Sequence, residues 1–283
     1  YASLAELWIG QGEAAKALAL LNGAPAVARG PVYFYAFGET QMALKNYEKA
    51  VPIFRNLTRR FPQNLQAWEQ LVRCNLLAGH LHEAEQAAGQ ASRNFPQTSE
   101  FQYFQAVIDY MLGRNARSVK ALSPLVEEGG GKDPRRVLLM AVLKSQMGDY
   151  AGAARFFERA ERMEPGCNAL ASYFYGATLM RMSRPLDAQV QLEDAIRCHP
   201  HFALAEYRLG QALSREGKLR QALTALKQAT RDDPALAEPY YALAQIQRRL
   251  GNPAGARESL AQFKRVKTHV ATSDRDLLES GLR

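Results

Sequence analysis

The chain has 283 residues, of which 47% are hydrophobic and 23% are charged, and its net charge is +8. This composition excludes a disordered chain, because enough apolar side chains are present to build a core. No segment approaches the roughly 18 consecutive apolar residues of a membrane span, and no signal-peptide pattern occurs. Because the chain begins at Tyr1, part-way into its first unit, we expect a fragment whose targeting segment could lie upstream.

One position recurs every 33 to 35 residues and holds glycine in six cases and a polar residue, lysine or serine, in the other two. Its occupants are Gly12, Lys45, Gly79, Gly113, Gly148, Ser183, Gly217 and Gly251. An alanine follows five residues later in every case but one, where Ser118 takes its place. A third series is made of prolines, namely Pro62, Pro96, Pro165, Pro200 and Pro234. Three residue types in one register indicate an internal repeat of about 34 residues.

Each repeat has the pattern of two helices. On both sides of Gly217 the apolar residues are spaced three and four apart, which predicts two amphipathic helices of about 13 residues each. Glycine permits a left-handed turn between them, and the proline that closes the unit ends the second helix. The small residues Gly210 and Ala222 let the two helices approach closely.

In chain order we predict a partial hairpin over residues 1–30, seven complete units and a tail. The units are 31–64, 65–98, 99–133, 134–168, 169–202, 203–236 and 237–270. In the tail, residues 271–283, Ser273 is a suitable N-cap, so we predict a short capping helix over Asp274–Ser280.

The unit 99–133 departs most from the pattern. It has Gln102 at an aromatic position and ends in the glycine-rich stretch Gly129–Gly131. A phosphate-binding loop is disfavoured there, because no strand precedes the glycines and no hydroxyl side chain follows Lys132. The composition favours a flexible connector, and any hinge in the array is expected at this point.

The repeat resembles the tetratricopeptide repeat, a helix-turn-helix of 34 residues. The aromatic residue of the first helix is matched by Phe34, Trp68 and Tyr240, and the Leu-Gly pair by Leu209-Gly210, with Phe37-Gly38 and Tyr175-Gly176 as variants. The large apolar residue of the second helix is matched by Phe54, Phe157, Leu192, Leu226 and Leu260. The resemblance implies an all-α, right-handed superhelical solenoid of stacked hairpins that acts as a non-catalytic scaffold.

The short motifs that would indicate an enzyme each lack a required residue. The Gly-Lys pair at 217–218 is followed by Leu219, where a phosphate-binding loop needs serine or threonine. His82 has Gln86 four residues later, where a zinc protease helix needs a second histidine, and the Cys-His-Pro-His segment at 198–201 has no partner cluster. We expect no catalytic residue, no metal site and no cofactor.

The three cysteines are Cys74, Cys167 and Cys198. An odd number is ordinary in a reducing compartment, which favours the cytoplasm, although the sequence does not decide the compartment. We predict that Cys74 is a small buried residue that packs in the core on a first helix. Cys167 and Cys198 lie at the hairpin end opposite the turn, so they could approach one another. A disulfide between them is therefore the alternative, and free thiols are favoured.

The resemblance places the ligand on the first helices of the hairpins. Where Leu209, Gly210 and Leu213 pack inward, the other face of that helix carries Tyr207 and Gln211. Tyrosine recurs at this position in five units as Tyr35, Tyr103, Tyr173, Tyr207 and Tyr241. The predicted peptide-binding residues are Tyr173, Arg181, Tyr207, Arg208, Gln211, Arg215, Tyr241, Gln245, Arg248 and Arg249. The alternative is that the tyrosines are ordinary repeat residues that cover the neighbouring helix.

Charge suggests the partner. Lysine and arginine exceed aspartate and glutamate by 1 in residues 1–133 and by 7 in residues 134–283. We therefore expect a protein or peptide partner that is acidic, bound in the concave groove as an extended or helical segment. Single-stranded nucleic acid is the first alternative, and an anchoring module of a larger enzyme is the second. The lysine and asparagine clamp by which some family members hold a carboxyl-terminal peptide is missing, so that specificity is not expected.

Overall fold

The computed structural model describes residues 1–127, 133–164 and 166–267. These residues form 16 α-helices and one short 3-10 helix, and no strand occurs among them. The predicted all-α repeat fold is confirmed. No helix in the described ranges is both long enough and apolar enough to cross a bilayer. The glycine-rich connector Gly129–Gly131 and the predicted capping helix Asp274–Ser280 lie outside the described residues.

The chain divides into two compact units, with the boundary between Leu125 and Val126 inside one helix. The helices that begin in the first unit are α1 (Ala2–Gly10), α2 (Ala14–Asn22), α3 (Pro31–Ala43), α4 (Tyr47–Arg60), α5 (Leu65–Leu77), α6 (Leu81–Asn94), α7 (Ser99–Met111) and α8 (Asn115–Glu127), with the 3-10 helix (Ala26–Ala28) before α3. Those of the second unit are α9 (Pro134–Gln146), α10 (Tyr150–Met163), α11 (Ala169–Arg181), α12 (Pro185–Cys198), α13 (Ala203–Arg215), α14 (Leu219–Asp232), α15 (Glu238–Arg249) and α16 (Pro253–Val266). Odd-numbered helices are the first helices of hairpins and even-numbered helices are the second.

Every hairpin turns at the recurring glycine position. The backbone angle φ is positive at all eight of its occupants, between +74° and +85° at the six glycines and near +60° at Lys45 and Ser183. The next residue closes the turn, as when the Lys218 N–H donates to the Leu213 carbonyl oxygen at 2.9 Å. The glycine series therefore marks left-handed helix ends, and Gly217 is a turn residue.

The two helices of a hairpin approach most closely at a first-helix glycine. A methyl group placed on Gly210 would lie 2.6 Å from a side-chain carbon of Leu226. The same conflict occurs between Gly38 and Phe54 and between Gly176 and Leu192. The predicted role of Gly210 in close packing is confirmed, because only a residue without a side chain leaves room for the large partner.

Cys167 and Cys198 form a disulfide with Cα atoms 4.9 Å apart, contrary to the favoured free thiols. The antiparallel pairing of α11 and α12 accounts for the difference. Cys167 lies two residues before α11 and Cys198 is the last residue of α12, so both stand at the same end of one hairpin. Cys74 is buried and free, as predicted, and burial raises the pKa of its thiol to about 12.

The left-handed turns yield a first prediction. We expect Lys45→Gly and Ser183→Gly each to raise the free energy of unfolding by about 0.5–1 kcal/mol, because a side chain in this conformation costs about 1–2 kcal/mol, of which the greater freedom of unfolded glycine offsets about half. Chemical denaturation followed by circular dichroism measures the change. Gly217→Ser is the matched reverse substitution and should lower stability by a similar amount. Destabilisation by both glycine variants would contradict this account.

The disulfide yields a second prediction. Protein purified and unfolded without reductant should be alkylated at one cysteine, Cys74, and at all three after reduction. The double variant Cys167→Ser with Cys198→Ser should lose about 2–4 kcal/mol of unfolding free energy, because the bond closes a long loop in the unfolded chain. Three alkylated cysteines in the unreduced protein, measured by mass spectrometry, would refute the bond.

Candidate protein-binding surface

The first helices α11, α13 and α15 lie side by side in the second compact unit, with α13 in contact with both neighbours. Side chains at equivalent positions, 34 residues apart, therefore form rows across the three helices. All ten predicted peptide-binding residues belong to these helices. The structure decides which of them reach solvent.

The tyrosine row is not uniformly exposed. Tyr173 is 0% exposed and packs against Phe174 and Phe202, with ring centroids 5.1 and 5.2 Å away. Tyr207 is half-buried, whereas Tyr241 is 48% exposed. Tyr173 is thus a core residue, in contrast to the prediction, because Phe202 after α12 folds over it. For Tyr173 the alternative interpretation is correct, namely that the tyrosine is an ordinary repeat residue packed against a neighbouring element.

Tyr207 belongs to a hydrogen-bonded group on α13. The Gln211 amide donates to the Tyr207 hydroxyl at 2.7 Å, and Arg208 donates to the Gln211 amide oxygen at 3.2 Å. The Arg208 guanidinium also lies 5.7 Å from the centre of the Tyr207 ring. Burial raises the pKa of Tyr207, so its hydroxyl keeps its proton. Since that hydroxyl accepts from Gln211, its own O–H can donate to a ligand.

The arginine row comprises Arg181, Arg215 and Arg249 at the last turns of α11, α13 and α15. Arg215 donates to the Met180 carbonyl oxygen at 2.9 Å, and Arg249 donates to the Ser214 hydroxyl at 2.9 Å. Each therefore links the end of its helix to the end of the preceding first helix. Sequence reasoning missed this structural role, although the 34-residue spacing of the arginines was a signal for it.

Charge at these helix ends is not neutralised by neighbours. Arg181, Arg215, Arg248 and Arg249 are all exposed. Within the described ranges, none of the four forms an ion pair with an acidic side chain. Tyr241 is exposed on α15 two helical turns before Arg248, with its ring 5.4 Å from that of Phe263, and Gln245 is exposed one turn after Tyr241. We call Arg181, Arg215, Tyr241, Gln245, Arg248 and Arg249 the basic surface.

Comparison with known families assigns the repeat. Sequence profiles of the tetratricopeptide repeat match residues 41–108 and residues 210–251. The chain contains tetratricopeptide repeats. The second match includes most of the basic surface, which therefore lies on tetratricopeptide-repeat helices. No curated protein matches the sequence significantly.

Solved structures share the tetratricopeptide-repeat architecture. One chain of the APC/C hetero-tetramer Cut9-Hcn1 superposes with a TM-score of 0.69 at 16% identity, and the match covers 99% of this chain and 55% of that chain. Pseudomonas aeruginosa pilF superposes with a TM-score of 0.64 at 14% identity, and the match covers 77% of this chain and 97% of pilF. MamA from Desulfovibrio magneticus RS-1 superposes with a TM-score of 0.55 at 21% identity, and the match covers 60% of this chain and 95% of the MamA chain. At these identities the likeness supports the fold alone.

The half-buried carboxyl of Glu206 on α13 lies close to the acidic side chain of Asp232 at the end of α14. Burial, and then the charge of Asp232, raises the pKa of the Glu206 carboxyl to about 7, against a smaller lowering by Arg231. The Asp232 carboxylate is 2.8 Å from the His201 ring nitrogen. Sequence reasoning missed this pair, because Glu206 and Asp232 belong to different helices. Among the described residues no group of three potential ligands is arranged to hold a metal.

Glu206 yields a third prediction, on pH. Its folded-state pKa lies above the ordinary value of 4.5, so its ionised form destabilises the repeat at pH above 7 and the penalty vanishes below pH 4.5. Because the carboxyl is half exposed, solvent screening reduces the effect. Glu206→Gln should therefore stabilise the protein by about 1 kcal/mol at alkaline pH and have no effect at acidic pH.

The control for this experiment is Glu238→Gln, which removes the same charge from an exposed position on α15. Denaturation midpoints of both variants and the parent are compared from pH 4 to pH 8. A gain in stability for Glu206→Gln that is equal at both extremes would contradict the proposed effect of ionisation.

Proposed function

We propose that this chain is a non-catalytic scaffold or adaptor that binds an acidic peptide segment, extended or helical, on the basic surface. Tetratricopeptide-repeat proteins generally mediate protein-protein interactions, and the two matched segments support that role here. The observation that carries the acidic specificity is the group of four exposed arginines that have no acidic partner among the described residues. A peptide carboxylate supplies the missing counter-charge.

The chemistry of the surface suits a peptide with spaced carboxylates. A guanidinium presents paired N–H groups that match the two oxygens of a carboxylate. The exposed ring of Tyr241 offers apolar contact area at low entropic cost, and the Gln245 amide can bond a peptide backbone. The Tyr207 hydroxyl adds a donor at the edge of the surface.

The helix-linking bonds also favour binding. Arg215 and Arg249 each use one nitrogen to hold a neighbouring helix end, which leaves the other nitrogens of the guanidinium for a ligand. Holding these long side chains in place before binding reduces the conformational entropy that association would otherwise lose. The structural role of the two arginines is therefore compatible with recognition.

Single-stranded nucleic acid is the second candidate because of the positive charge. Stacking platforms for bases need several exposed aromatic rings. In the tyrosine row only Tyr241 is strongly exposed, and Tyr173 is fully buried, which favours the peptide. A role as the anchoring module of a larger enzyme is compatible with peptide binding and would use the same surface.

The experiment measures binding of fluorescent 15-residue peptides from acidic, neutral and basic sets by anisotropy. We expect the acidic set to bind, and the double variant Arg181→Glu with Arg248→Glu to lose at least tenfold in affinity, because each reversal turns an attraction into a repulsion. Tyr241→Ala should lose about 5- to 30-fold, equivalent to about 1–2 kcal/mol. Circular dichroism confirms that each variant is helical.

The double variant Arg220→Glu with Lys227→Glu is the matched control, because it makes the same change in net charge at two exposed positions on the second helix α14, away from the basic surface. Equal weakening by this control would indicate non-specific attraction to net charge. A single-stranded RNA that binds more tightly than every acidic peptide, and whose affinity falls steeply with salt, would favour the nucleic-acid alternative. Unchanged peptide affinity in all surface variants would exclude the basic surface.

A further inference from the structure

A cleft of about 520 Å³ opens between the second helices α4 and α6 of the first compact unit, with α5 as its floor. This volume lies within the range of small-molecule sites. Its lining includes Arg55 and Arg59 from α4, Trp68 and Asn75 from α5, and Glu83 and Ala87 from α6. None of these residues belongs to the basic surface, which lies on first helices of the second unit.

The α6 wall of the cleft is made of small or polar side chains. Ala87 is the buried residue of this wall, and Glu83, Gln86 and Gln90 complete it. All four buried residues of α6 are alanines, so no large apolar side chain of this helix fills the opening beside α5.

A buried acceptor on the cleft lining has no donor. Asn75 is 1% exposed, and its amide nitrogen donates to the Leu71 carbonyl oxygen at 2.8 Å. Its side-chain oxygen accepts no hydrogen bond from any described residue. Exchanging the amide's oxygen and nitrogen would place two oxygens in contact, so the observed orientation is the favourable one. Leaving a buried acceptor unbonded is costly, which points to a donor from outside the chain.

Other hairpins satisfy the acceptor at this position internally. The Gln41 side-chain oxygen accepts from Asn46 at 3.0 Å, that of Asp109 from Arg114 at 3.4 Å, and that of Gln247 from Ser259 at 2.8 Å. Asn75 is the exception among these four polar residues. The unsatisfied acceptor thus coincides with the hairpin that has the open cleft.

The charge of the cleft favours an anion. Arg55 and Arg59 lie one helical turn apart on α4, and both are exposed. Neither forms an ion pair within the described part of the chain. With Glu83 on the opposite wall the cleft has a net charge of +1, which a monoanion balances and a dianionic phosphate exceeds. A carboxylate fits the paired arginines.

We infer that this cleft binds a monoanionic ligand of small-molecule size that carries a carboxylate and a hydrogen-bond donor. The carboxylate lies against Arg55 and Arg59, an N–H or O–H group donates to the Asn75 side-chain oxygen, and Trp68 forms an apolar wall. The inference does not depend on peptide binding at the basic surface, because the two sites share no residue.

The test uses N-acetyl-aspartate amide, a carboxylate with two amide donors, as the probe. The protein contains two tryptophans, so indole ¹⁵N labelling gives two NMR signals. The Trp68 indole N–H, which donates to the Pro62 carbonyl oxygen at 2.9 Å, reports on the cleft, and Trp8 on α1 is an internal control. We expect a saturable millimolar-range shift of the Trp68 signal alone, and at least tenfold weaker binding of neutral N-acetyl-asparagine amide.

Variants locate the site. The double variant Arg55→Gln with Arg59→Gln should weaken binding at least tenfold, whereas Arg60→Gln, an exposed α4 arginine outside the cleft, should not. Asn75→Leu should weaken binding about tenfold by removing the acceptor. Ala87→Phe should abolish binding by filling the cleft. The arginine variants change exposed side chains only, so they remain informative if an α5 or α6 variant fails to fold.

Three results would overturn the inference. One is a Trp68 signal that does not shift, and another is equal weakening by Arg60→Gln and by the cleft variants. The third is an acidic pentapeptide that binds more than tenfold more tightly than the blocked single residue, which would make the cleft a peptide-docking surface instead of a small-molecule site.

Discussion

In the hairpins α3–α4, α11–α12 and α13–α14, the close approach of the two helices depends on the contact between a glycine of the first helix and a large side chain of the second. Gly210 against Leu226 shows why, because a single methyl group would already overlap the leucine. This contact sets how closely the helices pack, and the left-handed residue at the turn sets their antiparallel direction. With both conditions repeated every 34 residues or so, side chains 34 apart take equivalent places, and rows of like residues follow.

The tyrosine row and the arginine row share the 34-residue spacing but have different roles. Tyr173, Tyr207 and Tyr241 pass from fully buried to half-buried to exposed, because Phe202 covers the first of them. The arginines at the last turns remain exposed, yet two of them also bond the carbonyl or hydroxyl groups of the preceding helix end. The basic surface is therefore fixed in place by hydrogen bonds between neighbouring first helices. Its position at helix carboxyl ends is also electrostatically favourable for arginine.

The second site lies where α6 offers only small buried side chains and α5 carries an unbonded acceptor. All four buried residues of α6 are alanines, and the Asn75 side-chain oxygen on α5 accepts no hydrogen bond from a described residue. Neither feature prevents the hairpin from forming, because Ala84 and Ala91 still pack and Asn64 still caps α5. A repeat protein tolerates such local openings, since each hairpin contacts only its neighbours.

The sequence by itself determined the helical repeat, its turns and the small residues at close contacts, because these depend on local backbone conformation and on a spacing that can be read directly. It also located the positive charge and proposed the residues of the basic surface. Tertiary structure alone decided that Tyr173 is covered, that Cys167 meets Cys198, that Glu206 faces Asp232 and that a cleft opens beside Asn75. Each of these depends on which side chains of different helices meet, and a residue's exposure is set by those neighbours and not by its own place in the repeat.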